Sequence, residues 1–315
     1  MRLREKLVTG RTSTEFRRLL NDSDLPLVGI CGGTAHHAQL GEATGFKYFG
    51  LSGSQASAHL MGMPDAGLMT LSEVTDNARR ICQAVSVPVY ADGETGFGNV
   101  VNATRTAADL INAGVAGFFM EDQVFPKRCG FTEGVEVIPT AEAAAKFKAV
   151  MAVRDELDPD VVFTARTDIR AAGGSVDDVL RRCEAYLDIG VDMLLVTKLQ
   201  SREEIRRVRE TFPEARLELN VGTMNPPLTS DDFKELGVTM VSMTISKIAQ
   251  IWMFEFLRDF RVRGFDAYNE FLEEHKESSF GIFSFLDLTG YPKVQAIEQD
   301  FAKELAVLRE RIAAE

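Results

Sequence analysis

Eight short apolar, β-branched runs recur along this 315-residue chain at intervals of roughly thirty residues, each separated from the next by a helix-like segment. They cover residues 26–33, 47–53, 87–94, 117–122, 161–168, 193–198, 216–221 and 238–244. The stretches from Val161 to Arg166 and from Met193 to Thr197 are continuously apolar rather than alternating, the pattern of strands covered on both faces and hence of a parallel sheet. Between them, residues 140–157 follow Pro139 and are rich in Ala, Lys and Glu, and residues 176–189 begin after Ser175 and stop at Gly190. Eight strands joined by helices predict an α/β fold, a (β/α)8 TIM-type barrel. No Pro/Gly/Ser-rich linker divides the chain, so a single domain is expected, with residues 1–247 as barrel core. Residues 248–315 break the period with long helices that complete the barrel and form an oligomer interface. The cluster Ile251, Trp252, Met253, Phe254 and Leu257 is most simply core, the alternative being an arm packed on another subunit.

The chain carries 35 basic and 47 acidic residues, a formal charge of −12, and such a surface repels nucleic acid and anionic membranes. No partner of either kind is expected. Cys31, Cys82, Cys129 and Cys183 lie far apart with no Cys-x-x-Cys pair, which suggests neither a zinc site nor a disulfide framework and fits a reducing cytoplasm. The first ten residues lack an apolar signal core, and no apolar run is long enough to cross a bilayer.

In a parallel barrel the chemistry gathers at the C-terminal ends of the strands. Asp65 follows the second run, Asp92 and Glu94 end the third, and Glu121 ends the fourth, so four carboxylates are expected at one rim. Singly, each is equally a helix cap or an ion-pair partner; together they repel unless a hard divalent cation joins them. Mg²⁺ is the first expectation and Mn²⁺ the second, because zinc recruits His or Cys. Arg166, ending the fifth run, is placed to bind a carboxylate or an oxyanion. The loop from Phe125 to Phe131 puts Cys129 beside Lys127 and Arg128, a setting that favours proton exchange by the thiol. Gly93, Gly96 and Gly98 match no phosphate-binding spacing, and His36 and His37 are read as helix-start or surface residues.

With these residues in view, the chain resembles the isocitrate lyase/phosphoenolpyruvate mutase superfamily from residue 28 to its end. The matching strings are Leu51-Ser52-Gly53, Pro64-Asp65, Asp92-Gly93-Glu94-Thr95-Gly96-Phe97-Gly98, Glu121-Asp122-Gln123, Lys127-Arg128-Cys129-Gly130 and Ala165-Arg166-Thr167-Asp168. The resemblance implies an α/β barrel with its terminal helix exchanged between subunits, a homotetramer, Mg²⁺, and a small anionic 2-hydroxy or 2-oxo acid as substrate. Lys-Arg-Cys-Gly looks like the gating loop of the methylisocitrate lyase-like and dimethylmalate lyase-like branch, which implies a carbon–carbon lyase. By that resemblance Cys129 protonates the carbanion released on cleavage, with Lys127 and Arg166 as catalytic partners. Asp92 ligates the metal, and Asp65, Glu94 and Glu121 hold its waters. Ser52, Gly53, Arg128, Gly130, Thr197, Lys198 and Asn220 bind substrate.

Three positions depart from the lyase pattern: Phe131 where a His is usual, Glu94 where an Asp is usual, and Thr197 where many lyases carry a Glu. Thr197-Lys198 is closer to the mutase and phosphonopyruvate hydrolase branch. The alternatives are therefore a phosphoenolpyruvate mutase or phosphonopyruvate hydrolase acting on a carbon–phosphorus bond, an oxaloacetate hydrolase or decarboxylase, or a non-catalytic metabolite-binding barrel. The thiol favours the lyase.

Overall fold

A parallel sheet closed on itself accounts for the eight apolar runs. The computed structural model describes residues 11–22, 26–220 and 224–314. Its strands are β1 (Leu27–Gly32), β2 (Phe49–Leu51), β3 (Val89–Asp92), β4 (Gly117–Glu121), β5 (Val162–Thr167), β6 (Met193–Val196), β7 (Leu217–Leu219) and β8 (Met240–Thr244). Each pairs in parallel with its neighbour in sequence, and β1 pairs with β8 to close the TIM-type barrel. Position 221, the end of the seventh run, lies outside the described residues.

The helices form where apolar spacing and capping chemistry coincide. Thr140–Leu157 has the expected bounds, and Val176–Asp188 starts at Ser175, whose hydroxyl accepts from Asp178 N at 3.2 Å while the Asp178 carboxylate accepts from Ser175 N at 2.8 Å. Such a cap contributes about 1 kcal/mol. The inner face of this helix buries Val179, Cys183 and Tyr186 against the strands, and also the charged Arg182. Arg182 donates to Asp122 at 2.8 Å and to the Ile138 carbonyl at 2.8 Å; Tyr186 donates to the same carboxylate at 2.7 Å. Asp122 also accepts from Asp168 N at 2.9 Å, so one buried carboxylate joins this helix to the ends of β4 and β5.

Inside the barrel, the helix Thr12–Leu20 closes the end where the strands begin. The Phe16 ring lies 5.6 Å from Tyr48 and 5.7 Å from Tyr90, with Leu20, Val162, Met193 and Met240 completing an apolar plug. Next to it sits a buried polar network. Tyr90 donates to Glu218 at 2.6 Å, Ser242 donates to the other carboxylate oxygen at 3.1 Å, and Tyr48 donates to the Val241 carbonyl at 2.9 Å. Burial pushes the Glu218 carboxyl up to about 7, although Tyr90 and Ser242 favour its ionised form.

The described residues group into two compact units, one ending at Ser246 and the other starting at Lys247. The second holds most of the helix Ile245–Arg263 and the helices Phe265–Glu274, Ser284–Thr289 and Tyr291–Ala313. In it Phe256 packs on Phe271 at 5.1 Å and on Phe260 at 6.0 Å. Its Trp/Met/Phe cluster departs from the simple core expectation. Trp252 is 64% exposed and Phe254 65%, because the apolar residues of this helix are spread over more than one face. Among the described residues no helix is long and apolar enough to cross a membrane.

Glu218 makes a stability prediction. Its carboxyl moves from an ordinary 4.5 to about 7 on folding, so the folded protein binds that proton more tightly. The resulting stability is fully present below pH 4.5 and is lost as pH rises through about 7, up to about 3 kcal/mol. Urea unfolding of Glu218→Gln therefore loses less stability between pH 5 and pH 8 than the parent does. Equal losses in the two proteins would remove the assignment.

Candidate active site

The rim of the barrel gathers the acidic residues around a single ammonium group. Lys127 is brought back over the strand ends by the loop after β4, and its Nζ lies 2.6 Å from Asp65, 3.0 Å from Glu94 and 3.8 Å from Glu121. All of these but Asp65 are fully buried, and Asp65 is half-buried on the loop after β2. The fourth carboxylate, Asp92 at the end of β3, accepts from Gly53 N at 3.0 Å and from Glu94 N at 3.0 Å. Gly53 is required here by close approach. A Cβ at this position would stand 2.3 Å from Glu94 Oε1 and 2.8 Å from Asp92 Oδ2. Glu94 itself has φ +54°, a left-handed backbone that costs a non-glycine residue about 1–3 kcal/mol and is held by the Glu121 N–H on its carbonyl.

Crowded, buried carboxylates resist ionisation. Burial, with the charges of Asp92 and Asp65, drives the Glu94 carboxyl up to about 7 against the pull of Lys127. Burial likewise drives Glu121 well up, opposed by Arg166 and Lys127. Burial works against the Lys127 ammonium, yet Glu94, Glu121, Asp92 and Asp65 together hold its pKa far above the ordinary value, so it stays charged. Among the described residues both buried Glu121 oxygens lack a hydrogen-bond partner, with Lys127 and Arg166 each no nearer than 3.8 Å.

Arg166, at the end of β5, is fixed by Asp168. Its Nε and Nη2 donate to Asp168 Oδ1 at 3.2 and 3.1 Å, and its guanidinium lies 5.6 Å from the Phe119 ring centre. The loop packs directly on this pair. A Cβ at Gly130 would stand 2.8 Å from Arg166 Nη2, 2.8 Å from Thr197 Cγ2 and 3.0 Å from Asp168 Oδ1. The Thr197 hydroxyl is fully buried and has no hydrogen-bond partner among the described residues. Cys129, between Arg128 and Gly130, is half-buried, and its N–H donates to the Asp65 carbonyl at 3.1 Å.

Asp65, Asp92, Glu94, Glu121, Lys127, Arg166, Gly53, Gly130 and Thr197 are thus brought together. Ser52 starts the short helix Gly53–Ala56 next to Asp92, its hydroxyl 3.1 Å from that of Ser54. Lys198 follows β6 with φ +65°, and Asn220 is exposed just past β7. Among the described residues, no ion pair or hydrogen bond joins Lys198, Asn220 or the Arg128 guanidinium to the carboxylates. His37 sits in the first turn of the helix Ala35–Ala43 with its N–H on Thr34, as a helix-start role requires. Sequence reasoning gave no role to Gln123, Asp168 or Glu218. Asp168 stands at a strand end, where the barrel rule points; an uncharged amide and an interior acid carry no such signal.

The donor set suits a hard cation. Four carboxylates face one ammonium and one guanidinium already shared with Asp168, and all of their donors are oxygens. Among the described residues no three His, Cys, Asp or Glu side chains form a direct metal cage. The arrangement accordingly fits an ion that takes one or two carboxylates and keeps its waters, as Mg²⁺ does, with the orphaned Glu121 oxygens able to accept from those waters.

Comparison with known proteins places this site in context. The family model for phosphoenolpyruvate phosphomutase matches residues 34–256. A carboxyvinyl-carboxyphosphonate phosphorylmutase of Arabidopsis thaliana is 37% identical over 74% of this chain and 69% of its own length. A 2,3-dimethylmalate lyase of Eubacterium barkeri is 36% identical over 77% of this chain and 82% of its own. Among solved structures, a 2,3-dimethylmalate lyase superposes with a TM-score of 0.81 at 25% identity, over 93% of this chain and 96% of that one. A phosphonopyruvate hydrolase in complex with oxalate and Mg²⁺ superposes with a TM-score of 0.77 at 26% identity, over 92% and 99%.

The central ammonium makes the second prediction. Lys127→Met strands the carboxylates it joins, at a cost of about 3–5 kcal/mol at pH 8 in EDTA, and the cost shrinks as the pH falls and Glu94 and Glu121 take up protons. Urea denaturation across pH measures this, and a variant as stable as the parent at pH 8 would contradict it.

Proposed function

The chain belongs to the isocitrate lyase/phosphoenolpyruvate mutase superfamily, and on that premise we propose that it is an Mg²⁺-dependent carbon–carbon lyase. Its substrate is a 2-hydroxy di- or tricarboxylate of the dimethylmalate or methylisocitrate kind, split into a 2-oxo acid such as pyruvate and a second carboxylic acid. The observation that carries this reading is the docking of the Lys127-Arg128-Cys129-Gly130 segment onto the carboxylates and Arg166, which supports a thiol held over the reacting carbon.

Asp92 would hold the metal, while Asp65, Glu94 and Glu121 would hold its waters. Bound Mg²⁺ supplies a Lewis acid for the substrate oxygens. Arg166 orients the carboxylate and the developing carbonyl oxygen, and Ser52 and Gly53 receive the 2-oxo acid end. As the hydroxyl passes its proton to a carboxylate of the rim, the bond between the carbinol carbon and the neighbouring carbon breaks and its electron pair stays on the latter, and the proton held by that carboxylate later restores the thiol. Cys129 Sγ–H delivers the proton to that carbanion and becomes a thiolate, Lys127 supplying positive charge beside it. Thr197, Lys198, Asn220, Arg128 and Gly130 line the remainder of the substrate, and Thr197 and Phe131 in place of the usual residues support a substrate other than methylisocitrate.

The Thr197-Lys198 pair and the mutase and hydrolase relatives support a second reading, chemistry at a carbon–phosphorus bond. We also propose a cytoplasmic homotetramer with exchanged terminal helices, a reading supported by the exposed Trp252 and Phe254.

An NMR panel of 2-hydroxy diacids, methylisocitrate, oxaloacetate and phosphonopyruvate, each with Mg²⁺ and with EDTA, tests the reaction. Metal-dependent release of a 2-oxo acid from a hydroxy acid is expected; turnover of phosphonopyruvate alone would replace the lyase by the second reading. Cys129→Ser is expected to lower kcat by about 10²–10⁴, and full turnover would remove the thiol from its role.

A further inference from the structure

The loop that carries Cys129 is rooted in an extension of β4. Gln123 and Val137 form an antiparallel bridge, Val124 N donates to Glu136 O at 2.9 Å, and Ile138 N donates to Asp122 O at 2.9 Å. Residues 125–135 therefore leave and return at one fixed neck. At its base stands Gln123, almost fully buried, whose side chain belongs to the root while its hydrogen bonds reach into the loop.

Its carboxamide captures both backbone groups of one loop residue. Oε1 accepts from Arg128 N at 2.9 Å, and Nε2 donates to Arg128 O at 2.9 Å. The same Nε2 donates to Asp168 Oδ2 at 2.6 Å, and Asp168 is the carboxylate that fixes the Arg166 guanidinium. A side chain offering a donor and an acceptor side by side can hold the N–H and the C=O of one residue in this way; an ionised carboxylate offers acceptors alone, and a thioether no donor and only a weak acceptor. The residue after Arg128 is Cys129, whose own N–H is held by the Asp65 carbonyl. The thiol thus hangs between two consecutive backbone anchors, one from Gln123 and one from the acidic cluster.

We propose that Gln123 is the latch of the active-site loop, a positioning residue whose amide holds the Arg128 peptide, and with it Cys129, in the closed position and ties closure to the Asp168–Arg166 pair. Closing the loop completes the bonding of the amide; opening it leaves Gln123 bonded to Asp168 alone and strips Gly130 from the face of Arg166. The thiol donor and the guanidinium that receives substrate are engaged in one movement. The catalytic consequence rests on the lyase reading, whereas the latch itself does not.

The test uses the full chain without substrate, so its result is independent of whether that reading holds. Iodoacetamide labelling of Cys129, followed by peptide mass spectrometry, and hydrogen exchange of residues 125–135 both report the closed loop. Gln123→Glu, which loses both donated bonds and sets a second carboxylate against Asp168, is expected to raise the Cys129 labelling rate at least about tenfold, with protection of the helix Thr140–Leu157 unchanged. Gln123→Met, which loses the bonds without adding charge, gives the same direction and stands in if the charged variant does not fold. With a substrate from the turnover panel, kcat falls in both variants more than KM rises. Labelling and loop protection equal to the parent's in both would overturn the latch, whatever happens to turnover. Failure of both to fold would overturn it too, by making Gln123 a core residue of the barrel.

Discussion

Everything at the working end of this barrel depends on burying an ammonium among carboxylates. Asp65 and Glu94 come from two strand–helix connections and Glu121 from the end of β4, and without a shared cation their mutual repulsion and lost hydration would drive them apart. Lys127 supplies that cation, and because it lies on the loop after β4, the electrostatics of the rim and the position of the loop are a single problem. Asp92, beside them, is held by the N–H groups of Gly53 and Glu94. The backbone of the thiol-bearing loop and the acids of the rim are therefore held by the same interaction.

The architecture was legible because parallel strands covered on both faces must be continuously apolar, and the eight runs each contain one of the observed strands. The convergence of Asp65, Asp92, Glu94 and Glu121 was legible for a topological reason, since strand ends of a parallel barrel share one rim. The intimacy of Lys127 with them was not: the Lys127-Arg128-Cys129 string was expected at the rim for its thiol, and nothing in a Lys between Pro126 and Arg128 tells that its ammonium is buried among the acids. Gln123 and Glu218 escaped for a different reason. Their roles lie in hydrogen bonds to the backbone of a residue five positions on and to a tyrosine and a serine on other strands, and no periodicity encodes such partners. The cluster around Trp252 was read as core or as an arm for another subunit, and its exposure fits the second of these, which apolar character alone could not choose.

Two buried acids divide the support of the site between them. Asp122 faces outward from the strand ends, where Arg182 and Tyr186 compensate it and where it holds the Asp168 N–H. Glu218 lies inside, compensated by two hydroxyls and by the charge of Arg166. The first sets the backbone at the end of β5 that carries Arg166; the second shares the barrel interior with the Phe16 plug. A braced frame results, and the segment that carries the thiol is confined to one loop.

That confinement has an evolutionary meaning. Because residues 125–135 leave and re-enter through the short bridge between Gln123 and Val137, their length and sequence can change without disturbing the strand register. The neck acts as a socket, the loop as an exchangeable cartridge. A scaffold with one metal-ready rim can in this way acquire a different proton donor, or a differently shaped cover, by replacement of about a dozen residues. The same property makes the segment a natural graft site for moving one chemistry onto the frame of another.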